Sequence, residues 1–183
     1  MSKLRTHKKF IDPLKFTEAD MPVIILCDGL KDPIAAFTKV HTAGNYSHTV
    51  IMVEPGKIVS QDFVLRKRNV EAYRTSDYVL KFIKIKRLSK KVKKEIFKAV
   101  EEDLNKPWYK RLYDIVGFIG QAIKIPKLNT PWLNYCSENT AKYMRLDSRV
   151  KKVLKKQVSP SDINRVVNAN PQLFKCLGYW FED

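Results

Sequence analysis

The stretch "AGNYSHTVIMVEPGKIVSQDF", residues 43–63, decides how the chain folds and where its chemistry can sit. Apolar residues run on both sides of Pro55-Gly56, a dipeptide that marks a turn, so "HTVIMVE" and "KIVSQDF" read as two strands of a hairpin. Side chains alternate faces along a strand, which sets His48, Val50 and Met52 on one side. With a two-residue turn, Glu54 pairs with Lys57, Val50 lies opposite Gln61 and His48 opposite Phe63. Val59 and Gln61 then share the His48 face. A three-residue turn would put Ser60 there instead, because one step of register exchanges the faces. His48 is one of only three histidines. It stands at the mouth of an apolar hairpin, where packing, metal ligation and catalysis are all open to it.

Outward from the hairpin, "MPVIILCDG" (21–29) reads as a short buried strand closed by the Asp28-Gly29 turn. "DPIAAFTKVHT" (32–42) reads as a helix with Asp32 as N-cap and Pro33 at its first position, its apolar Ile34, Phe37 and Val40 on one side. Downstream, "DYVLKFIKIKR" (77–87) alternates apolar and basic residues and predicts a half-exposed strand. Ser89 caps a helix running to Asn105, with Val92, Ile96, Val100 and Leu104 as its apolar stripe. A second helical stretch, "WYKRLYDIVGFIGQAIKI" (108–125), ends at Pro126, and a third begins near "NYCSENTAKYM" (134–144). Ser159-Pro160 opens a capped helix, and the tail "LFKCLGYWFED" (173–183) is apolar enough to dock on the body. Residues 1–20 read as a polar N-terminal arm that packs late, and residues 21–183 as a single α+β domain.

The composition is that of a folded protein, with 44% hydrophobic residues. A formal net charge of +16 favours phosphate-rich or carboxylate-rich partners: nucleic acid, an anionic membrane surface or a cell-wall polymer. Much of that charge lies in "KIKRLSKKVKK" (84–94) and "RVKKVLKK" (149–156), which also suit solvated helix faces. No secretion signal is evident, and the longest apolar run, "PVIILC" (22–27), is too short to cross a bilayer. Three cysteines without a CxxC pair argue for a reduced compartment and against a disulfide scaffold or zinc ribbon. The expectation is a cytoplasmic protein, of cellular or phage origin, with no metal and no cofactor.

Cys136 falls at the first turn of a helix. Backbone N–H groups point outward there and carry about half a positive charge, a field that favours thiolate over thiol and can hold the oxygen of a tetrahedral intermediate. A nucleophilic cysteine needs a base, and histidine titrates nearest neutrality. His48 is the strongest partner; His7 lies in the polar arm and His41 on a helix. The third member would fix the imidazole tautomer, and Gln61 or Ser60 supplies it according to the turn. Cys27, in mid-strand, and Cys176, in the apolar tail, read as packing residues.

Taken together and in order, these stretches resemble the circularly permuted, papain-like NlpC-type hydrolases of the YiiX-like branch. "HTAGNYSHTVIMVEPGKIVSQDF" is similar to that family's T-G-S-x-Y-S-H-x-G-I pattern, and "NYCSENTAKYM" to its C-S-E motif at the start of the nucleophile helix. "YDIVGFIG" (113–120) resembles its Y-D-x-x-G-L segment, and "SPSDI" (159–163) its closing P-S-D-L. The likeness spans about residues 21–165, with the basic 65–106 region loosely matched. It implies a papain-like antiparallel sheet packed against helices, with Cys136 as nucleophile, His48 as general base and Gln61 at the third polar position, Ser60 being the alternative. Tyr46 matches the family's tyrosine and would help line the oxyanion or substrate site; Glu138 matches the motif's acid. Two departures stand out. Val50 replaces the glycine two residues after the histidine, and an acidic third residue is missing.

The resemblance implies a cysteine hydrolase that cleaves an amide, whether peptide, isopeptide or cell-wall stem-peptide, through a thioacyl intermediate. It also implies a relation to the lecithin retinol acyltransferase group, hence an alternative in which the acyl group of a lipid or other donor passes to an alcohol or amine. "DIVGFIGQAIKI" (114–125) is apolar enough to approach lipid. A third reading is a basic protein that binds nucleic acid or another polyanion without turnover.

Overall fold

The computed structural model describes residues 9–31, 33–112, 114, 135–156 and 158–182. Within them, β1 (Val23–Gly29), β2 (His48–Glu54), β3 (Lys57–Gln61), β4 (Leu65–Asn69), β5 (Tyr78–Ile85) and β6 (Phe174–Trp180) form one sheet. Its order is β4-β3-β2-β1-β5-β6, with every pairing antiparallel. The helices are α1 (Pro33–Thr42), α2 (Lys90–Leu104), α3 (Cys136–Met144), α4 (Ser148–Val153) and α5 (Pro160–Ala169). The protein is α+β.

Strand alternation divides the core. One face of the sheet carries Val23, Ile25, Val50, Met52, Ile58, Leu80 and Phe82, covered by Phe16, Met21, Val70 and Tyr73. Part of the expected polar arm therefore closes this face: Phe16 is buried there, and Ile11 N–H bonds Tyr179 O beside the Phe10–Tyr179 bridge. The other face packs Ile24, Leu26, Ile83 and Ile85 against Ala141 and Met144 of α3, Val150 of α4, and Ile163 and Val167 of α5. Ile96 and Val100 of α2 pack on Ile51, Val53 and Val59. Ile96 is almost wholly buried, so Ile96→Ala would cost about 3 kcal/mol through lost contacts and the cavity left behind.

Helix starts follow the chemistry of their caps. Ser89 accepts from Val92 N–H at the start of α2, and Asp147 accepts from Arg149 and Val150 N–H at α4. Ser159 and Asp162 satisfy each other's backbone donors at α5, with Pro160 in its first turn.

Three regions depart from expectation. The alternating strand β5 is not half-exposed: β1 and β6 pair with its two edges, and Lys81 is buried, held by Asn164 and Asn168 of α5. Leu65–Asn69 adds the basic edge strand β4; the tail docks on the body as expected, as the edge strand at the opposite side. The stretch expected to be helical from Trp108 opens as a single 3-10 turn, Trp108–Arg111; apart from Leu112 and Asp114, its continuation to Pro126 lies outside the described residues, as does Asp32.

Candidate active site

The hairpin has the two-residue turn, one of the two the sequence left open, with Glu54 paired to Lys57. The pairing then shifts between Met52 and Glu54, so that Met52 meets Ile58 and Ile51 meets Val59. Continued by one residue per step, this register sets His48 beside Asp62. A bulge of one residue thus exchanges the faces of β3 relative to β2. Ser60, not Gln61, shares the face of His48.

At that end of the sheet His48 is enclosed on several sides. Its Nε2 lies 3.3 Å from Ser60 Oγ and 3.4 Å from Asp62 Oδ1. Ser60 Oγ donates to Asp62 Oδ1 at 2.7 Å, and Tyr73 OH donates to the same oxygen at 2.7 Å. The Tyr73 ring stacks on the imidazole, with centroids 5.8 Å apart and planes at 9°. Arg68, and more loosely Arg66, pair with Asp62 Oδ2. These contacts engage Nε2.

That thiol belongs to Cys136, the first residue of α3, which is within hydrogen-bonding reach of the His48 ring. Cys136 is 4% exposed and the His48 side chain 17%. Burial would lower the histidine's pKa, but the Cys136 sulfur, its hydrogen bond and the Asp62 charge together hold it above the ordinary value. Burial would likewise raise Asp62. The hydroxyls of Ser60 and Tyr73, with the charges of His48 and Arg68, outweigh this and keep it below the usual carboxylate range.

Gln61 serves the other face. Its Nε2 donates to Arg111 O at 2.8 Å and its Oε1 accepts from Asn139 Nδ2 of α3 at 2.9 Å. With the Thr49–Thr140 hydroxyl contact at 3.4 Å, it ties the cysteine helix to the hairpin. Its expected place beside the imidazole is therefore corrected: the bulge turns it toward α3.

The carboxylate beside the imidazole is Asp62, two residues beyond Ser60 on the same face. Its signal was present in "SQDF", but only the bulge makes it readable.

Tyr46 is buried in the core cluster with Ile24, Leu26, Ala141 and Ile163, and burial pushes its phenol well up, keeping it neutral. Its backbone is fixed from α5: Ser161 Oγ donates to Tyr46 O at 3.2 Å and accepts from Tyr46 N–H at 3.4 Å. Gly44 makes this possible, because a Cβ there would stand 2.0 Å from Ser161 Oγ. The "AGNYSH" and "SPSD" stretches thus meet in space, and their contact places the start of β2.

Glu138, in the first turn of α3, accepts from the backbone N–H and the hydroxyl of Tyr135, the N-cap. It is 6% exposed, and its Oε2 has no hydrogen-bond partner among the described residues. Burial first, then the nearby Asp114 charge, push its carboxyl up to about 7 against the pull of Tyr135.

Cys27 pairs with His48 across β1 and β2 and is fully buried; burial and the neighbouring Cys136 sulfur push its thiol up. Cys176 is exposed. His41 falls within α1, and His7 lies outside the described residues. Among the described residues there is no cluster of three metal-ligating side chains and no helix long and apolar enough to cross a membrane. No protein-family model and no curated protein matches the chain.

Proposed function

We propose that the protein is a cysteine hydrolase of the permuted papain-like kind, acting on an amide carbonyl. One observation carries this reading: a thiol at the first residue of a helix meets an imidazole whose Nε2 is held by Ser60 and Asp62. In the proposed reaction His48 takes the Cys136 proton and sulfur attacks the carbonyl carbon. The negative oxygen is met by backbone N–H groups of the first turn of α3. The imidazolium then protonates the leaving amine, and water activated by His48 releases the acyl group from sulfur. Asp62 supports the charged imidazole, and Ser60 fixes its tautomer.

Alkylation by iodoacetamide tests the pair directly. Cys136 should react ahead of the far more exposed Cys176, and His48→Ala should slow Cys136 at least tenfold while leaving Cys176 unchanged. Mass spectrometry of the protein quenched during turnover of peptide, isopeptide and stem-peptide amides should then find an acyl group on Cys136. Faster labelling at Cys176, with Cys136 inert, would sink the proposal. Trapped acyl groups from phospholipids but not from amides would move it to the acyltransferase reading.

A further inference from the structure

A second site lies at the other end of β5. His48 neighbours Cys27, which pairs with Leu80, whereas this site begins at Lys84 and Ile85, roughly 15 Å further along the strand. There a concavity of about 500 Å³ opens between the 19–22 turn, the β5–α2 connection and β6. This is within the size range of small-ligand sites. Lys84, Lys86, Arg87, Lys93 and Lys175 line it, against one carboxylate, Asp20. Five cations come from β5, the connection, α2 and β6, so they belong to no single solvated helix face. Its apolar floor is limited to the partly buried Leu88 and Leu177, Ile85 being buried.

The existing partners leave much of this charge unanswered. Lys84 bonds Asp20 at 3.2 Å, Lys86 donates to Pro171 O and Lys93 donates to Ala19 O. Arg87 and Lys175 have no carboxylate partner among the described residues. Arg87 also has φ of 51°, the left-handed region that disfavours residues bearing a Cβ. Glycine would relieve that strain, yet an arginine occupies the turn. Arg149 Nη2 clamps the turn from outside through Lys86 O at 2.9 Å and Arg87 O at 3.4 Å, and is itself held by Asp147. The β5–α2 connection feeds directly into the start of α2, a 15-residue helix whose positive end adds to the field.

We propose that this pocket binds a small organic ligand carrying adjacent phosphates. The cationic rim matches closely spaced phosphate charge, and the apolar floor matches an organic moiety attached to it. Concavity disfavours a flat bilayer or a duplex as the occupant. The proposal is independent of the chemistry at Cys136.

Isothermal calorimetry on the full chain with ATP and with inorganic tripolyphosphate tests it. ATP should bind more tightly than tripolyphosphate, which lacks an organic part. Arg87→Gly and Lys175→Glu should each weaken ATP binding about tenfold. Lys151→Glu and Lys152→Glu on exposed α4 should change it less than twofold, although each removes as much charge as Lys175→Glu. Arg87→Gly should not lower the melting temperature, so its loss of binding cannot be read as unfolding. Equal losses in the α4 variants, or no ATP binding at moderate salt, would overturn the proposal. So would phosphatidylserine vesicles or a single-stranded oligonucleotide that bind more tightly than ATP and lose affinity selectively in Arg87→Gly.

Discussion

Two carboxylates, one beside His48 and one two residues after Cys136, are driven in opposite directions by their surroundings. Asp62, on the strand side, receives two hydroxyl donors, an arginine and the imidazole, and stays ionised to low pH. Glu138, on the helix side, has among the described residues only Tyr135 as a donor, an oxygen without a partner and a second acid nearby, and its carboxyl rises to about 7. Burial opposes ionisation at both positions; the number and charge of the donors decide the outcome. Pairs of titratable groups pushed apart in this way divide the work of a site. The strand side keeps a negative charge beside the histidine, while the acid on the helix side is held largely protonated up to about pH 7.

The comparison breaks most visibly if Asp62 is removed. Asp62→Ala leaves Ser60, Tyr73 and Arg68 without their shared acceptor and should cost about 3 kcal/mol in a urea melt. Alkylation of Cys136 should slow at least tenfold. The sign with pH follows from the lowered pKa: the stabilisation from Asp62 is complete above its unfolded value near 3.9 and is lost as pH falls through the lower folded value. Asp62→Asn should therefore flatten the acid limb of the stability curve. An unchanged limb would show that the Asp62 charge contributes nothing to the fold.

Glu138 should show the opposite slope. Its folded pKa is raised, so between about 4.3 unfolded and about 7 folded the native state holds more protons, and stability falls as pH rises. Its full slope is about 1 kcal/mol per pH unit. The histidine adds in the same sense near neutrality. With its folded pKa also raised, the stability from His48 is present below its unfolded value near 6.5 and is lost as pH climbs through the folded one. Glu138→Gln should make the protein more stable at pH 8 and remove the slope between pH 5 and 6, leaving only the part that His48→Gln abolishes. A variant with the wild-type slope would mean that Glu138 titrates normally.

The hairpin, its turn, β1, α2 and the starts of α3 and α5 were legible because turn dipeptides, apolar periodicity and caps are local signals. The pairing of His48 with Cys136 was legible from the order of motifs rather than from any one of them. What stayed hidden depended on contacts between segments. Pro55-Gly56 fixes the turn, but nothing in "HTVIMVE" announces an extra residue, and that one residue moved Gln61 from the imidazole to α3 and brought Asp62 into place. Lys81 looked like a solvated strand residue; it is buried because Asn164 and Asn168 of a helix far along the chain accept its hydrogen bonds. The basic run at 84–94 was visible as charge, but its concavity needed Lys175 from β6.

The register itself gives a smaller test. Ser60→Ala removes the hydroxyl between the imidazole and Asp62 and should slow Cys136 alkylation several-fold with a modest loss of stability. Gln61→Ala instead leaves Asn139 of α3 and Arg111 O without partners, costing about 1–2 kcal/mol with less effect on the thiol's rate. If Gln61→Ala slowed the thiol more than Ser60→Ala, the bulged register would be wrong and the unbulged hairpin right.

The smallest expected effect belongs to Tyr73, which touches the strand-side network in two separable ways. Its ring stacks on His48, and its hydroxyl reaches both Asp62 and Ser60 Oγ, the latter at 2.8 Å. Tyr73→Phe keeps the ring and removes the hydroxyl alone, so the loss in a urea melt should be about 1 kcal/mol. The carboxylate keeps Ser60 and Arg68, and its pKa should move up only part of the way, as NMR titration of the Asp62 side chain would record. A shift as large as that in Ser60→Ala would make the two hydroxyls equal partners. No shift at all would leave Tyr73 as packing, with the serine and the arginine alone keeping Asp62 charged beside the histidine.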